Sequence, residues 1–139
     1  MPFVRIDLPA DTPSDELRAV SGAVHQALVD VFNVPADDLF QAISRRAPEE
    51  LVCSPSYLGV AHTAKVAFVQ VFCSPGRPVG LKEALYARIA AGVAQRTSFR
   101  AEDVVIHLVE TLRENWSFGS GVAHYAVQDR RRPGEPAVS

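Results

Sequence analysis

Residues 66–73 read VAFVQVFC and are apolar at every position except Gln70. An apolar run of this kind is typical of a strand that is buried on both faces or central in a sheet. The turn-forming residues SPGRP follow at 74–78, and a helical apolar spacing comes next, at Leu81, Leu85, Ile89 and Val93. Residues 104–109, VVIHLV, are another strand candidate, so this half of the chain is predicted to form a β-α-β unit.

The first half of the chain has the same plan. Residues 3–8, FVRIDL, alternate between apolar and polar side chains, which predicts a half-buried strand. Val4, Ile6 and Leu8 are expected on its inner face, because successive side chains of a strand point to opposite sides.

A helix is predicted to follow this strand. Thr12 is the expected cap and Pro13 the expected first-turn residue. Asn33 and Pro35 mark the predicted end of the helix. Between these signals, apolar side chains recur three and four residues apart, at Leu17, Val20, Val24, Leu28 and Val31.

The two similar halves predict an α+β fold of β-α-β-β-α-β order. Residues 39–46 are the remaining extended candidate, and a mixed stretch with proline and glycine turn signals follows at 48–62. Both crossovers are expected to be right-handed, which places both helices on one face of the sheet. The domain is expected to span residues 1–126, ending in a short segment at 116–125, and residues 127–139 are expected to form a solvated tail.

Composition describes an ordinary globular chain of one domain. Of its 139 residues, 47% are hydrophobic and 22% charged, and the net charge of −2 favours neither nucleic acid nor an anionic membrane as a partner. No apolar stretch approaches the ~20 residues that span a bilayer, and no signal-peptide pattern is present. Cys53 and Cys73 lack the spacing of a disulfide framework, which fits a reducing cytoplasm. The histidines are scattered, so a metal site is not expected.

Two groups in this sequence suggest chemistry. If Met1 is removed, Pro2 has a free secondary amine, and an α-amino group titrates at about 7.7–8.0, within reach of acid or base work at neutral pH. Arg77 stands just before a predicted helix, where a cation is electrostatically disfavoured. Together with the free N–H groups of the first helical turn, however, Arg77 can form a site for a carboxylate or a phosphate.

Several short motifs, in order and spacing, resemble the tautomerase superfamily, and within it the malonate semialdehyde decarboxylase branch. They are Pro2 followed by FVRIDL, FNVPADD at 32–38, PSYLG at 55–59, PGR at 75–77 and WSFG at 116–119. The likeness covers residues 2–126. It implies a homotrimer of β-α-β-β-α-β protomers that acts on small oxo acids without a cofactor.

The resemblance also implies roles for individual residues. Pro2 matches the catalytic proline, and Asp38 matches an active-site aspartate that positions the proline or activates water. The family's arginine-x-arginine pair, which binds the substrate carboxylate, falls on residues 75–77, where Pro75 replaces the first arginine and Arg77 keeps the second. The remaining matches, Trp116 and Phe118, are to the apolar wall of the pocket.

Three functions stay open on this reading. A neutral Pro2 amine would be a base for keto-enol tautomerisation of a 2-oxo acid. An amine that Asp38 keeps protonated would be an acid, suited to decarboxylating or hydrating a 3-oxo or unsaturated acid. If Met1 is retained, the proline nitrogen lies in an amide and is not basic, and the chain would be a non-catalytic trimeric binding protein. A nucleic-acid-binding role is disfavoured by the charge and by the lack of an aromatic-basic strand pattern.

Overall fold

The computed structural model describes residues 1–131. Its elements, in chain order, are β1 (Phe3–Pro9), α1 (Ser14–Phe32), β2 (Gln41–Arg46), β3 (Ser56–Tyr57), β4 (Val60–Ala61), β5 (Ala67–Cys73), α2 (Val79–Arg96), β6 (Val104–Glu110) and α3 (His124–Arg130). Short 3-10 turns lie at Pro48–Glu50, Ala101–Asp103 and Arg113–Asn115.

Four of the strands form one sheet in the order β2-β1-β5-β6. β1 is parallel to β2, β5 is parallel to β6, and the two central strands are antiparallel, with Ile6 opposite Val69. The sheet thus consists of two β-α-β units joined through their first strands. The predicted α+β class and the two β-α-β units are confirmed.

The core lies between this sheet and the two long helices. Val4, Ile6 and Leu8 are buried on the inner face of β1, as the alternation predicts. They pack in one cluster with α1 and α2, through residues such as Leu28 and Leu85. Both long helices therefore cover the same face of the sheet.

The central strand β5 is less enclosed than an uninterrupted apolar run implies. Ala67, Val69, Val71 and Cys73 are buried, whereas the alternate residues Phe68, Gln70 and Phe72 are only half-buried. The physical reason is that α1 and α2 cover one face of the sheet. The other face of β5 carries large apolar side chains that the described residues leave partly open.

The start of α1 differs from the prediction. Pro13 is the residue before the first helical turn, and Thr12 does not cap the helix. The Thr12 hydroxyl instead donates to the carbonyl of Pro9 at 2.7 Å, and the side chain is buried in that turn. The helix ends as predicted, at Asn33, whose left-handed backbone (φ 57°) directs its N–H to the carbonyl of Leu28.

The connection between the two halves contains structure that the sequence analysis leaves undefined. β2 begins at Gln41, two residues later than predicted, and residues 39–40 are exposed loop. Within the mixed stretch at 48–62, β3 and β4 pair as a two-stranded hairpin. Leu58 and Gly59 form its turn with positive φ angles of 47° and 81°, the backbone that a two-residue hairpin turn requires.

Helix α3 crosses the boundary predicted at residue 126. Residues 127–130 are helical, and Arg113 Nε bonds the carboxylate of Asp129 at 3.0–3.2 Å, which ties this helix to the turn after β6. A helix of seven residues is too short to repeat an apolar spacing, so periodicity does not reveal it. Residues 132–139 of the predicted tail lie outside the described residues.

None of the helices in residues 1–131 is long and apolar enough to cross a membrane. Cys53 is half-buried and Cys73 buried, and both are free thiols. The cytoplasmic location stays a prediction.

Candidate active site

The strand order brings several chain segments to one edge of the sheet. β1 begins at this edge and the antiparallel β5 ends there. β2, parallel to β1, also begins there, and the amide of Val4 donates to the carbonyl of Phe40 at 3.0 Å. β6 ends beside β5, where the amide of Thr111 donates to the carbonyl of Cys73 at 2.8 Å. The first residues of the chain therefore meet the loops that follow α1, β5 and β6.

The terminal amine in this structure belongs to Met1, so it stands one residue before the nitrogen that processing would expose at Pro2. Burial lowers the pKa of this amine below its ordinary value. The charge of Asp38 acts in the opposite direction, while the charges of Arg77 and Arg113 lower the pKa further. Pro2 is itself buried, so an amine at that nitrogen would also lose hydration, which disfavours its charged form.

Asp38 lies in the loop between α1 and β2, in a turn closed by its own N–H and the carbonyl of Pro35 at 2.9 Å. Its Oδ1 atom is buried and has no hydrogen-bond partner within residues 1–131. Burial raises the pKa of this carboxyl, and the positive amine at the chain start opposes the rise. A buried acceptor without a partner is costly, which makes Asp38 a candidate to meet the amine or a substrate.

Arg77 lies in the loop between β5 and α2. Its Nη1 donates to the carbonyl of Ser74 at 3.2 Å, and its guanidinium carbon lies 4.2 Å from the ring centroid of Phe32. The stacking and the hydrogen bond fix a half-buried cation two residues before α2 begins at Val79. Pro75, at the position of the missing arginine, is exposed.

Trp116 and Phe118 belong to an aromatic cluster. Their rings are stacked, with centroids 5.5 Å apart and an angle of 13° between the planes. Phe118 also contacts Phe40 at 5.6 Å and the edge of Tyr125 at 5.1 Å. Trp116 lines a cavity of about 330 Å³ together with Phe3 and other residues of the sheet. The indole Nε1 is buried without a partner in the described part of the chain.

The structure brings two further residues to this edge that the sequence analysis did not select. The ring of Tyr125 lies 4.0 Å from the guanidinium carbon of Arg113. Burial raises the pKa of the Tyr125 hydroxyl, the charge of Asp38 raises it further, and Arg113 opposes both. Asp38, Tyr125 and Arg113 are therefore neighbours. One feature of the sequence could have indicated Arg113. It lies three residues after the end of β6, and β6 is parallel to β5 and ends beside it.

Two cavities lie on opposite sides of the molecule. One, of about 640 Å³, is lined by Ser74 and Pro75, in the loop that carries Arg77, and by Arg113 among others. The other, of about 710 Å³, is lined by the end of β1, by Thr12 and by the loop around Cys53. Neither cavity is lined by any of the five predicted site residues, but the first lies at the end of the sheet where β5 and β6 end, which is the end where β1 begins.

Groups of histidine, cysteine or acidic residues that could hold a metal are absent from residues 1–131. The site consists instead of a terminal amine, a carboxylate, two guanidinium groups and aromatic rings. These groups can bind an organic anion and move a proton.

Comparison with known proteins places the chain in a family. Residues 38–119 match a family model described as "Tautomerase enzyme", and residues 2–61 match another model with the same description. The chain belongs to the tautomerase family. The two matched ranges include all five predicted site residues, which are Pro2, Asp38, Arg77, Trp116 and Phe118.

Individual proteins that are similar to this chain support its assignment to the tautomerase family. It is 36% identical to the probable tautomerase YusQ of Bacillus subtilis (strain 168), over 88% of this chain and 97% of that protein. Among solved structures, it is similar to the FG41 malonate semialdehyde decarboxylase inhibited by 3-bromopropiolate, with 33% identity, a TM-score of 0.85 and coverage of 91% and 96%. A fused 4-OT symmetric trimer has the same fold, with 19% identity, a TM-score of 0.72 and coverage of 89% and 98%.

Proposed function

We propose that this protein, once Met1 is removed, is a cofactor-free enzyme that uses the Pro2 amine to tautomerise small 2-oxo acids. One observation carries the proposal. The first residues of the chain lie buried between a carboxylate, Asp38, and two guanidinium groups, and the terminal amine there has a pKa below its ordinary value. A secondary amine in this position would be neutral to a larger extent than a solvated amine at the same pH, and its neutral form would accept a proton.

The proton transfer needs no other reagent. The Pro2 nitrogen takes a proton from the carbon next to the 2-oxo group, the C–H electron pair forms the C=C bond, and the C=O electron pair moves to the oxygen. The protonated amine then returns the same proton to that oxygen, which gives the enol and restores the neutral amine. Arg77 would hold the carboxylate and stabilise the charge that develops on the oxygen. The rings of Trp116 and Phe118 would exclude water from the amine.

Decarboxylation is the second candidate. The 33% identity to a malonate semialdehyde decarboxylase favours it, as does the charge of Asp38, which raises the pKa of the amine at the chain start. A protonated Pro2 would be an acid, as decarboxylation of a 3-oxo acid or hydration of an unsaturated acid requires. The loss of the first arginine at Pro75 disfavours this chemistry, because the carboxylate loses one of its two expected cations.

We further propose that the protein is a homotrimer. The fold matches a fused 4-OT trimer. On the sheet face away from α1 and α2, Val105 is 37% exposed and Phe68 and Phe72 are half-buried. An apolar sheet face of this kind favours burial against other subunits. A non-catalytic trimeric binding protein stays the alternative if Met1 is retained.

The deciding experiment combines mass and activity. Intact-mass measurement establishes whether residue 2 is the terminus, and ultraviolet absorbance follows the conversion of phenylpyruvate between enol and keto forms. We expect the processed protein to catalyse this conversion and the Pro2→Ala variant to lose it, because a primary amine on a flexible backbone replaces the fixed proline nitrogen. Equal rates for the two proteins would remove Pro2 from the mechanism.

A further inference from the structure

Arg113 is held in a fixed orientation. Its Nε donates to both carboxylate oxygens of Asp129, at 3.2 and 3.0 Å, and the plane of its guanidinium group lies against the ring of Tyr125, 4.0 Å away. These contacts engage one edge and one face of the group. The side chain keeps 39% of its exposure, and its hydrogen bonds to Asp129 use the Nε atom.

The Arg113 side chain borders the cavity of about 640 Å³ described above. One side of this cavity is formed by Ser74 and Pro75, and the other residues that line it are Leu112, Arg113, Glu114, Ala126, Asp129 and Arg130. Arg77 bonds the carbonyl of Ser74, so both guanidinium groups adjoin the same loop. Pro75 is the residue that stands where the family's first arginine is expected.

The charge of Arg113 also shifts the pKa values of the terminal amine and of Tyr125. It lowers the pKa of the terminal amine, as Arg77 does, and it opposes the rise in the pKa of Tyr125 that burial and Asp38 cause. Amine, carboxylate, phenol and both arginines therefore belong to one electrostatic neighbourhood. An anion in the cavity between Pro75 and Arg113 would lie inside that neighbourhood.

We propose that Arg113 binds the substrate carboxylate together with Arg77, so that a cation from the turn after β6 replaces the arginine that is missing at Pro75. The identity of the substrate as a 2-oxo acid rests on the function proposed above. Two arginines fixed by stacking and by hydrogen bonds hold a carboxylate with little loss of side-chain freedom. Binding of this kind is the same in the ground and transition states, so it acts on KM rather than on kcat.

The test compares an acid with its ester. We expect Arg113→Gln to raise KM for phenylpyruvate about ten- to a hundredfold, the effect of losing one charge-assisted contact, and to change kcat little. The methyl ester of phenylpyruvate has no carboxylate, so its kinetics should change less than twofold. Arg113→Lys should keep part of the effect, because it retains the charge without the planar fork.

A control variant separates binding from structure. Arg88→Gln removes an arginine that pairs with Asp30 on the helices, and it should change KM for phenylpyruvate much less than Arg113→Gln does. An equal loss for acid and ester, or an equal effect of Arg88→Gln, would overturn the proposal in favour of a purely structural role.

A binding measurement distinguishes this inference from the proposed function. Calorimetric titration with 3-phenylpropanoate, which cannot tautomerise, should show weaker binding to Arg113→Gln than to the wild type. This result without any tautomerisation would refute the proposed function and leave the role of Arg113 standing. No binding to the wild type, or equal binding to the two proteins, would overturn the role of Arg113.

Discussion

The charges of Arg77 and Asp38 shift the pKa of the terminal amine in opposite directions. Each side chain can be replaced separately. We expect Arg77→Ala to reduce kcat/KM for 2-oxo acids about ten- to a hundredfold, because a charge-assisted contact to the carboxylate is lost. Thermal unfolding should change little, since Arg77 is half-buried and the variant loses only its hydrogen bond to Ser74 O and its stacking on Phe32. Arg18→Ala, which removes an exposed arginine on α1, is the control. A large fall in melting temperature for Arg77→Ala would assign it a structural role.

Asp38→Asn should shift the pH profile of the reaction. The charge of Asp38 raises the pKa of the terminal amine, so its removal lowers that pKa and leaves more amine neutral at a given pH. Tautomerisation should rise with pH through one ionisation, and in the variant the midpoint should lie at lower pH with a similar plateau. Loss of all activity in Asp38→Asn, together with turnover of malonate semialdehyde by the wild type, would favour decarboxylation instead.

Some residues of the candidate site lie in recognisable sequence motifs, and others do not. Pro2, Asp38 and Arg77 stand in short motifs of fixed order, so they can be selected from the order of residues alone. Arg113 stands in a 3-10 turn and Tyr125 in the short helix α3, and neither belongs to one of the motifs. Their place beside Asp38 depends on the register of β6 against β5 and on α3 folding back onto the turn after β6, and neither is encoded in local spacing.

At the scale of elements, the buried carboxylate of Asp103 links the loop before β5 to the 3-10 turn before β6. Asp103 is 1% exposed, and it accepts from the N–H and hydroxyl of Thr63, at 2.8 and 2.6 Å, and from Arg100 Nε at 3.2 Å. Burial alone would raise the pKa of Asp103, but these hydrogen bonds and the charge of Arg100 outweigh it and lower the pKa.

Asp103→Asn should therefore destabilise the fold by about 1.5–3 kcal/mol near pH 7, the range for hydrogen bonds to a charged group. A carboxyl with a lowered pKa stabilises the folded state above its unfolded pKa of about 3.9, and this contribution is lost as the pH falls through the folded pKa. Urea unfolding as a function of pH should thus show a shallower acid loss in Asp103→Asn. Parallel curves for the two proteins would contradict this account.

The long elements are predictable because their side-chain periods repeat several times. α1, α2 and β1 each present an apolar face at the expected period, and each lies where the pattern predicts. The hairpin of β3 and β4 depends on Leu58 adopting a positive φ of 47°, which leucine rarely does. A turn of this kind has no signal in the leucine itself.

At the scale of the whole molecule, the proposed trimer can be tested through the open sheet face. Phe68 is half-buried on that face and belongs to the central strand β5. We expect light scattering to give three times the 15.1 kDa chain mass for the wild type and a smaller mass for Phe68→Asp, because burying a carboxylate in an apolar interface is costly. Ala87→Asp, at an exposed position of α2, should stay assembled. A monomeric wild type would refute the trimer.

The antiparallel pairing of β1 with β5 relates the two β-α-β halves by an approximate two-fold axis through the centre of the sheet. The start of β5, near Ala67, therefore occupies at one edge the position that the start of β1 occupies at the other. Removal of Met1 would leave a free backbone nitrogen at only one of these equivalent positions, because the other continues into the hairpin loop through a peptide bond. Under the proposed function, the chemistry of a pseudosymmetric scaffold is thus confined to one end by its connectivity, and a chain reopened just before β5 would expose a second amine at the equivalent position.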